Sequence, residues 1–166
     1  LFCSMLTLQF QPAVLDAGAE KKRSTQLQLA SIRAEGARVV FTSLEQNVTA
    51  VMSWLRYHVE ERTMELSGGV TPATGRPNPV RIYQNSSMLT APYVMAIHDL
   101  NNQIQTIECR GPGRIEPSDS PSAPARSEEE NTFNATWTES LAIRQSPNHS
   151  IILQGNATIS QTNGAN

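Results

Sequence analysis

Charge is scarce in this chain. Across 166 residues only 17% are Asp, Glu, Lys or Arg, and the net charge is −2. So small a charge exerts no global pull on nucleic acid or on anionic lipid, and no nucleic-acid partner is expected. Apolar residues make up 39%, a modest share. Ser, Thr, Asn and Gln fill the difference, a polar but weakly charged balance that is common outside the cytoplasm.

Cysteine is almost absent. Cys3 and Cys109 form no CxxC motif, and His58, His98 and His149 sit far apart, so no zinc site is expected. Two states stay open for the thiols, a Cys3–Cys109 disulfide in an oxidising compartment and two separate cysteines. The signatures of catalysis are missing too. There is no G-x-S-x-G elbow. The glycine-bearing stretches GVTPATG and RGPGR lack the Lys-Ser/Thr ending of a phosphate-binding loop. The chain is read as a non-enzyme with no cofactor implied.

No apolar run reaches the roughly 20 residues that a membrane-spanning helix needs. The first fifteen residues, LFCSMLTLQFQPAVL, come nearest. Three readings compete for them: the end of a truncated transmembrane helix, the core of a signal peptide, or an apolar element packed on the domain. Ala17-Gly18-Ala19 has the small-x-small form of a cleavage site. Lys21-Lys22-Arg23 speaks against an exporting helix, because basic residues stay on the cytoplasmic side. Residues 1–23 are therefore set apart from a single domain at 24–166. That domain is expected to be cut short, since the closing TNGAN reads as a hairpin turn without its second strand.

What is there begins with Ser43 to Leu66. Leu44, Val48, Val51, Met52, Leu55, Val59 and Leu66 recur in steps of three and four, which predicts an amphipathic helix. Ser43 and Gln46 suit a capping box, and Gly68-Gly69 a helix stop. Residues 24–41 carry a looser pattern of the same period. Together they predict a long N-terminal helix. Downstream the period changes to two. Tyr93 to Cys109 reads as an antiparallel hairpin turning near Leu100–Asn102, and Arg110 to Asn131 as a long loop. Two further strands follow, over TFNATWTESLAIR and SIILQGNATISQT, with Gly155 as a bulge. The expected fold is α+β, a long N-terminal helix on an antiparallel sheet.

That order of parts resembles the Cache family, the PAS-like extracytoplasmic sensors of bacterial receptors, histidine kinases and diguanylate cyclases. The likeness rests on AIHDLNNQIQTI, where Ala96, Ile97, Asp99 and Ile104 fit and Asn102 replaces the usual glycine. It rests also on SIILQGNATISQTNGA, where Leu153, Ile159 and Gly164 fit. Gly155 or Asn156 stands where the family often has arginine, and Phe133 matches its aromatic leading into the pocket. The resemblance implies a periplasmic or cell-surface sensor domain of a transmembrane receptor. It would bind a small solute, signal through its N-terminal helix, pair as a homodimer through that helix, and reach the membrane through flanking helices.

The candidate ligand-binding residues are His98, Arg110, Phe133, Trp137 and Arg144, since aromatic walls with a few convergent polar groups suit a small molecule. For Phe133 and Trp137 a place in the core competes with that role. A reading from another class stands beside the sensor. Asn47, Asn85, Asn134, Asn148 and Asn156 each open an N-x-[ST] acceptor, as in a secreted or cell-surface N-glycosylated structural or adhesion protein.

Overall fold

The computed structural model describes residues 1–13, 27–70, 75, 78–118, 132–145 and 148–162. Among these, no residue is helical. The described residues form thirteen strands in one antiparallel sheet. They are β1 (Met5–Pro12), β2 (Leu27–Ser43), β3 (Val48–His58), β4 (Thr63–Ser67), β5 (Val80–Gln84), β6 (Ser87–Ala91) and β7 (Tyr93–His98). The rest are β8 (Ile104–Arg110), β9 (Gly113–Pro117), β10 (Thr132–Trp137), β11 (Ser140–Arg144), β12 (Ser150–Gln154) and β13 (Thr158–Thr162).

The α+β expectation is overturned. The residues assigned to a long N-terminal helix are β2, β3 and β4. The predicted hairpin at Tyr93–Cys109 is present as β7 and β8, and Gly155 does break a strand, at φ +87°. The homodimer expected through the helix loses its basis with it. Among the described residues, no helix is long and apolar enough to cross a membrane. Met5–Pro12, within the segment set apart as a leader or anchor, is a strand paired with β2. The Lys21-Lys22-Arg23 cluster and the proposed cleavage site lie outside the described residues, as does the closing turn at 163–166.

The topology is a plain meander. β4 and β5 act as one strand, both pairing with β3. β6 and β7, β8 and β9, β10 and β11, and β12 and β13 likewise form four broken strands, each paired with the next along both halves. With β1, β2 and β3 this makes eight strands in sequence order. Tight turns join them at residues whose backbone is left-handed: Asn47 at φ 49°, Arg62 at 49°, Asn85 at 53° and Asn102 at 59°. Asn is the residue best suited to that conformation after Gly. In the β7–β8 turn, the backbone amides of Asn101 and Gln103 donate to Asp99 Oδ1 at 2.8 and 2.9 Å. Those bonds hold the Asp99 carboxyl below its ordinary range.

The breaks line up across the sheet as a crease. They fall at Pro92, Gly111-Pro112, Thr138-Glu139 and Gly155-Asn156, and beside a register shift in β2 between Glu35 and Val39. Bonds cross the crease from strand to strand. Gly68 N donates to Pro92 O at 3.1 Å, Gly111 N to Glu139 O at 2.7 Å, and Glu139 N to Gln154 O at 3.1 Å. Breaks and bulges of this kind bend strands and strengthen their twist. The sheet therefore curls into a half-barrel with its apolar side inward.

Three apolar rows run across the strands on that side. One is Leu6, Ala34, Leu55, Leu66, Val94, Cys109, Leu141 and Leu153, paired in succession from β1 to β12. The next is Leu8, Ile32, Tyr57, Met64, Ala96, Ile107, Ile143 and Ile151. The third, beyond the crease, is Phe41, Ala50, Ile82, Leu89, Ile115, Ala135 and Ile159. Their central members form the buried core, with Val39, Met52, Val80, Ala91 and Trp137. The other side carries Thr, Ser, Glu and Arg, as expected of an antiparallel sheet with one solvated face.

Candidate functional site

The five candidate ligand residues do not converge. Trp137 is 2% exposed, a core residue whose Nε1 donates to Gly111 O at 3.0 Å across the crease. Phe133 is half-buried on β10, opposite Gln161. Arg144 ends β11 and is exposed. Arg110 lies on the polar side with its guanidinium 5.3 Å from the centre of the Tyr93 ring. His98 alone lines a described cleft. For Phe133 and Trp137 the core reading was open from the outset, because alternate positions on one strand face serve packing and pockets alike.

The cleft at His98 has a volume of about 320 Å³ and lies where the β2–β3 and β7–β8 turns approach each other. Phe41, Tyr57 and Met64 supply its apolar wall, and Glu45, Gln46, Asn102 and Gln103 its polar rim. Gln46 Nε2 donates to Asn102 O at 3.1 Å, tying the two turns together. The His98 ring stands edge-on to Tyr57, with centroids 6.2 Å apart, and its Nδ1 lies 3.3 Å from Arg62 O. Sequence reasoning missed Phe41, Tyr57 and Met64 because it placed them on helices. Their place beside His98 follows only from the register of β2, β3, β4 and β7.

A second polar group sits on the outer face. Tyr93 donates its hydroxyl to Glu65 Oε1 at 2.7 Å, and His58 Nε2 lies 3.7 Å from Glu65 Oε2. Burial, then the bond to Glu65 and its charge, pushes the Tyr93 phenol up to about 12. This is a structural network, since no nucleophile faces a base in it; a cleft of about 350 Å³ opens beside its His58 end, lined also by Gln9, Ser31, Arg56 and Glu60. Among the described residues no group of three or more His, Cys, Asp or Glu is placed to hold a metal ion.

Four of the glycosylation acceptors are exposed. Asn47 and Asn85 stand on neighbouring turn tips, with Asn47 Nδ2 donating to Asn85 Oδ1 at 3.2 Å. Asn148 and Asn156 are exposed as well, while Asn134 is half-buried in β10.

The open edges are the most unusual feature. β1 bounds the sheet on one side and β12 and β13 on the other, and among the described residues no strand covers either. Leu6 is 52% and Leu8 49% exposed on β1; Ile151 is 53% and Ile159 62% exposed at the far edge. Residues 1–15 and 150–162 contain no charged side chain. Edge strands are normally blunted by charges or irregularity, so two long uncharged apolar edges are unprotected against pairing. No known family, curated protein or solved structure matches the chain.

Proposed function

We propose that this chain is a structural module that works outside the cytoplasm by joining copies of itself edge to edge into a continuous curled sheet. The observation that carries this is the phase of the apolar rows. Two of the rows run the full width from β1 to β12 and end on aliphatic residues at both edges, the exposed Leu6 and Leu8 on β1 and the half-buried Leu153 and exposed Ile151 on β12, so each is a stripe waiting to continue. The even number of strands fixes the geometry. The eighth strand runs opposite to the first, so β1 of a following copy arrives antiparallel to β12 with both copies in the same orientation. Setting Leu153 opposite the next Leu6 then sets Ile151 opposite Leu8, because both pairs are two residues apart. A head-to-tail contact of this kind is heterologous and propagates. The polar, weakly charged composition and the four exposed acceptor asparagines support a location outside the cytoplasm.

Sedimentation and light scattering on wild type, L8K and I151K test this. Wild type is expected to give a ladder of oligomers that grows with concentration. Each lysine variant alone is expected to stay monomeric, because one partner in every junction is blocked. An equimolar mixture is expected to stop at dimers, since one good edge remains on each variant. A wild-type monomer at all concentrations, or an L8K variant that still self-associates, overturns the head-to-tail reading.

The cleft at His98 favours a second reading, a module that also takes a small solute. Its support is the aromatic and thioether wall beside a ring of amides. The sensor expected from the sequence relied on a helix to pass the signal on, and that helix is strand.

A further inference from the structure

We infer that the outer face of the crease holds a binding site for a doubly charged tetrahedral oxyanion, a free phosphate or sulfate ion or the phosphate group of a small molecule or glycan. The site is a cleft of about 330 Å³ lined by Arg38, Arg81, Asn78 and Tyr83, with Val51, Ala37 and Pro79 as its apolar surround. Arg81 and Tyr83 alternate on β5 and point to the solvated side, opposite Val51 and Thr49 of β3. Arg38 comes from the irregular stretch of β2, where the register shifts between Glu35 and Val39. That bulge brings a third strand's cation to the cleft. Asn78 is brought there by its amide, which donates to Gly69 O at 3.0 Å and closes the β4–β5 excursion.

The charged residues of the lining are both arginines, and no acid is among them. Among the described residues, the arginine ion pairs are Arg33 with Glu35 and Arg114 with Glu116. Arg38 and Arg81 enter neither of them. Glu35, the acid nearest in sequence to Arg38, is held by Arg33, whose Nε donates to it at 2.6 Å. Arg38 and Arg81 put two positive charges on one cleft with no acid among its lining residues. Each offers a planar fork that matches two oxygens of a tetrahedral group, and together they balance a charge of two. The Tyr83 hydroxyl and the Asn78 side-chain amide are donor types that such a group accepts. A carboxylate would leave one fork unmatched.

Titration of the full chain with sodium phosphate and sodium sulfate, followed by amide and guanidinium NMR, tests this at constant ionic strength. Saturable shifts are expected at Val51, Arg81 and Arg38, with half-saturation on the order of 1 mM, the range of a small exposed anion site. R38Q and R81Q are each expected to weaken binding about tenfold or more, as loss of a charge-assisted fork does. R144Q, on an exposed strand end elsewhere, is expected to leave it unchanged. Thermal unfolding confirms that each variant is folded. Shifts that fail to saturate, that survive in the R38Q/R81Q double variant, or that acetate reproduces at equal concentration overturn the assignment. A phosphorylated sugar that binds more tightly than inorganic phosphate identifies the ester as the source, and equal affinity identifies the free ion.

Discussion

The crease makes a quantitative claim at Gly113. A Cβ added there would overlap Trp137 Cζ2, and would come within 2.6 Å of Thr90 O and 2.7 Å of Trp137 Cε2. The backbone of Gly113 needs no left-handed conformation, so the requirement is one of space alone. Trp137 is fully packed there and bonds Gly111 O, two residues away. One indole thus fills the room that the missing side chain leaves and ties down the break between β8 and β9. W137A should cost about 3–5 kcal/mol, as buried aromatic truncations do. W137F should cost less, chiefly the loss of the bond to Gly111 O, about 1–3 kcal/mol. G113A should cost at least about 3 kcal/mol, at the upper end for overpacking, because one of the clashing atoms is backbone.

The decisive measurement is the double-mutant cycle by urea unfolding. With the ring gone, an alanine at 113 meets only Thr90 O. G113A should therefore cost about 1–2 kcal/mol less in the W137A background than in wild type, a coupling within the range for touching residues. In a chain this size the W137A loss corresponds to a fall in Tm of roughly 10 °C. Additive costs in the cycle, or a G113A protein as stable as wild type, would show that ring and strand do not share this space. The account of the crease as a packed joint would then fail.

Two further outcomes follow from side chains already placed. Burial pushes the Cys109 thiol up to about 12, and burial with the Glu65 bond does the same to the Tyr93 phenol. Both groups ionise later in the folded chain than in the unfolded one. Their contribution is fully present below about pH 9, the ordinary thiol value, and is lost as the pH rises toward 12. Tm measured from pH 8 to pH 12 should fall, and C109A and Y93F should each flatten the decline; an unchanged slope in both refutes the linkage. At the His98 cleft, a thermal-shift screen with amino acids, carboxylates and polyamines should yield a saturable rise of a few degrees, lost in H98A. No rise with any of them at high concentration removes the solute-binding reading.

The sequence misled over the long helix for a physical reason that the crease supplies. In β3 the inward side chains are Val48, Ala50, Met52, Leu55 and Tyr57, each paired with an inward residue of β2. Steps of two are broken once, by a step of three where Ser53 and Trp54 cross the crease. A single irregularity turns a strand's period into something close to 3.6 over one short window. Val51, counted on the helical stripe, faces outward beside Arg81. In β2 the inward positions jump from Ala34 to Val39, again at the crease, so both segments lose their alternation at the same place. Composition carried the better signal. VTAVMSWLRYH is dense in β-branched and aromatic residues, which favour a pleated, half-buried surface. Downstream the turns were read from Asn101-Asn102 and Gly155, where local backbone demands are written in one or two residues. The row pattern was out of reach, because it exists only between strands and no one strand displays it.

The same reasoning explains why the site was harder to find than the strands. His98 was picked out as one of five candidates, yet its neighbours Phe41, Tyr57 and Met64 come from three other strands. Arg38 and Arg81 are separated by 43 positions and line one cleft only because the irregular stretch of β2 and the strand β5 both flank β3. Both clefts depend on the curl of the sheet, and the curl depends on a line of breaks that is contiguous in space and scattered along the chain. A variant that straightens one break should therefore disturb both clefts along with the core, whereas a charge on β1 or β12 should leave both intact. That separation is what allows edge pairing to be tested by L8K and I151K without loss of the fold.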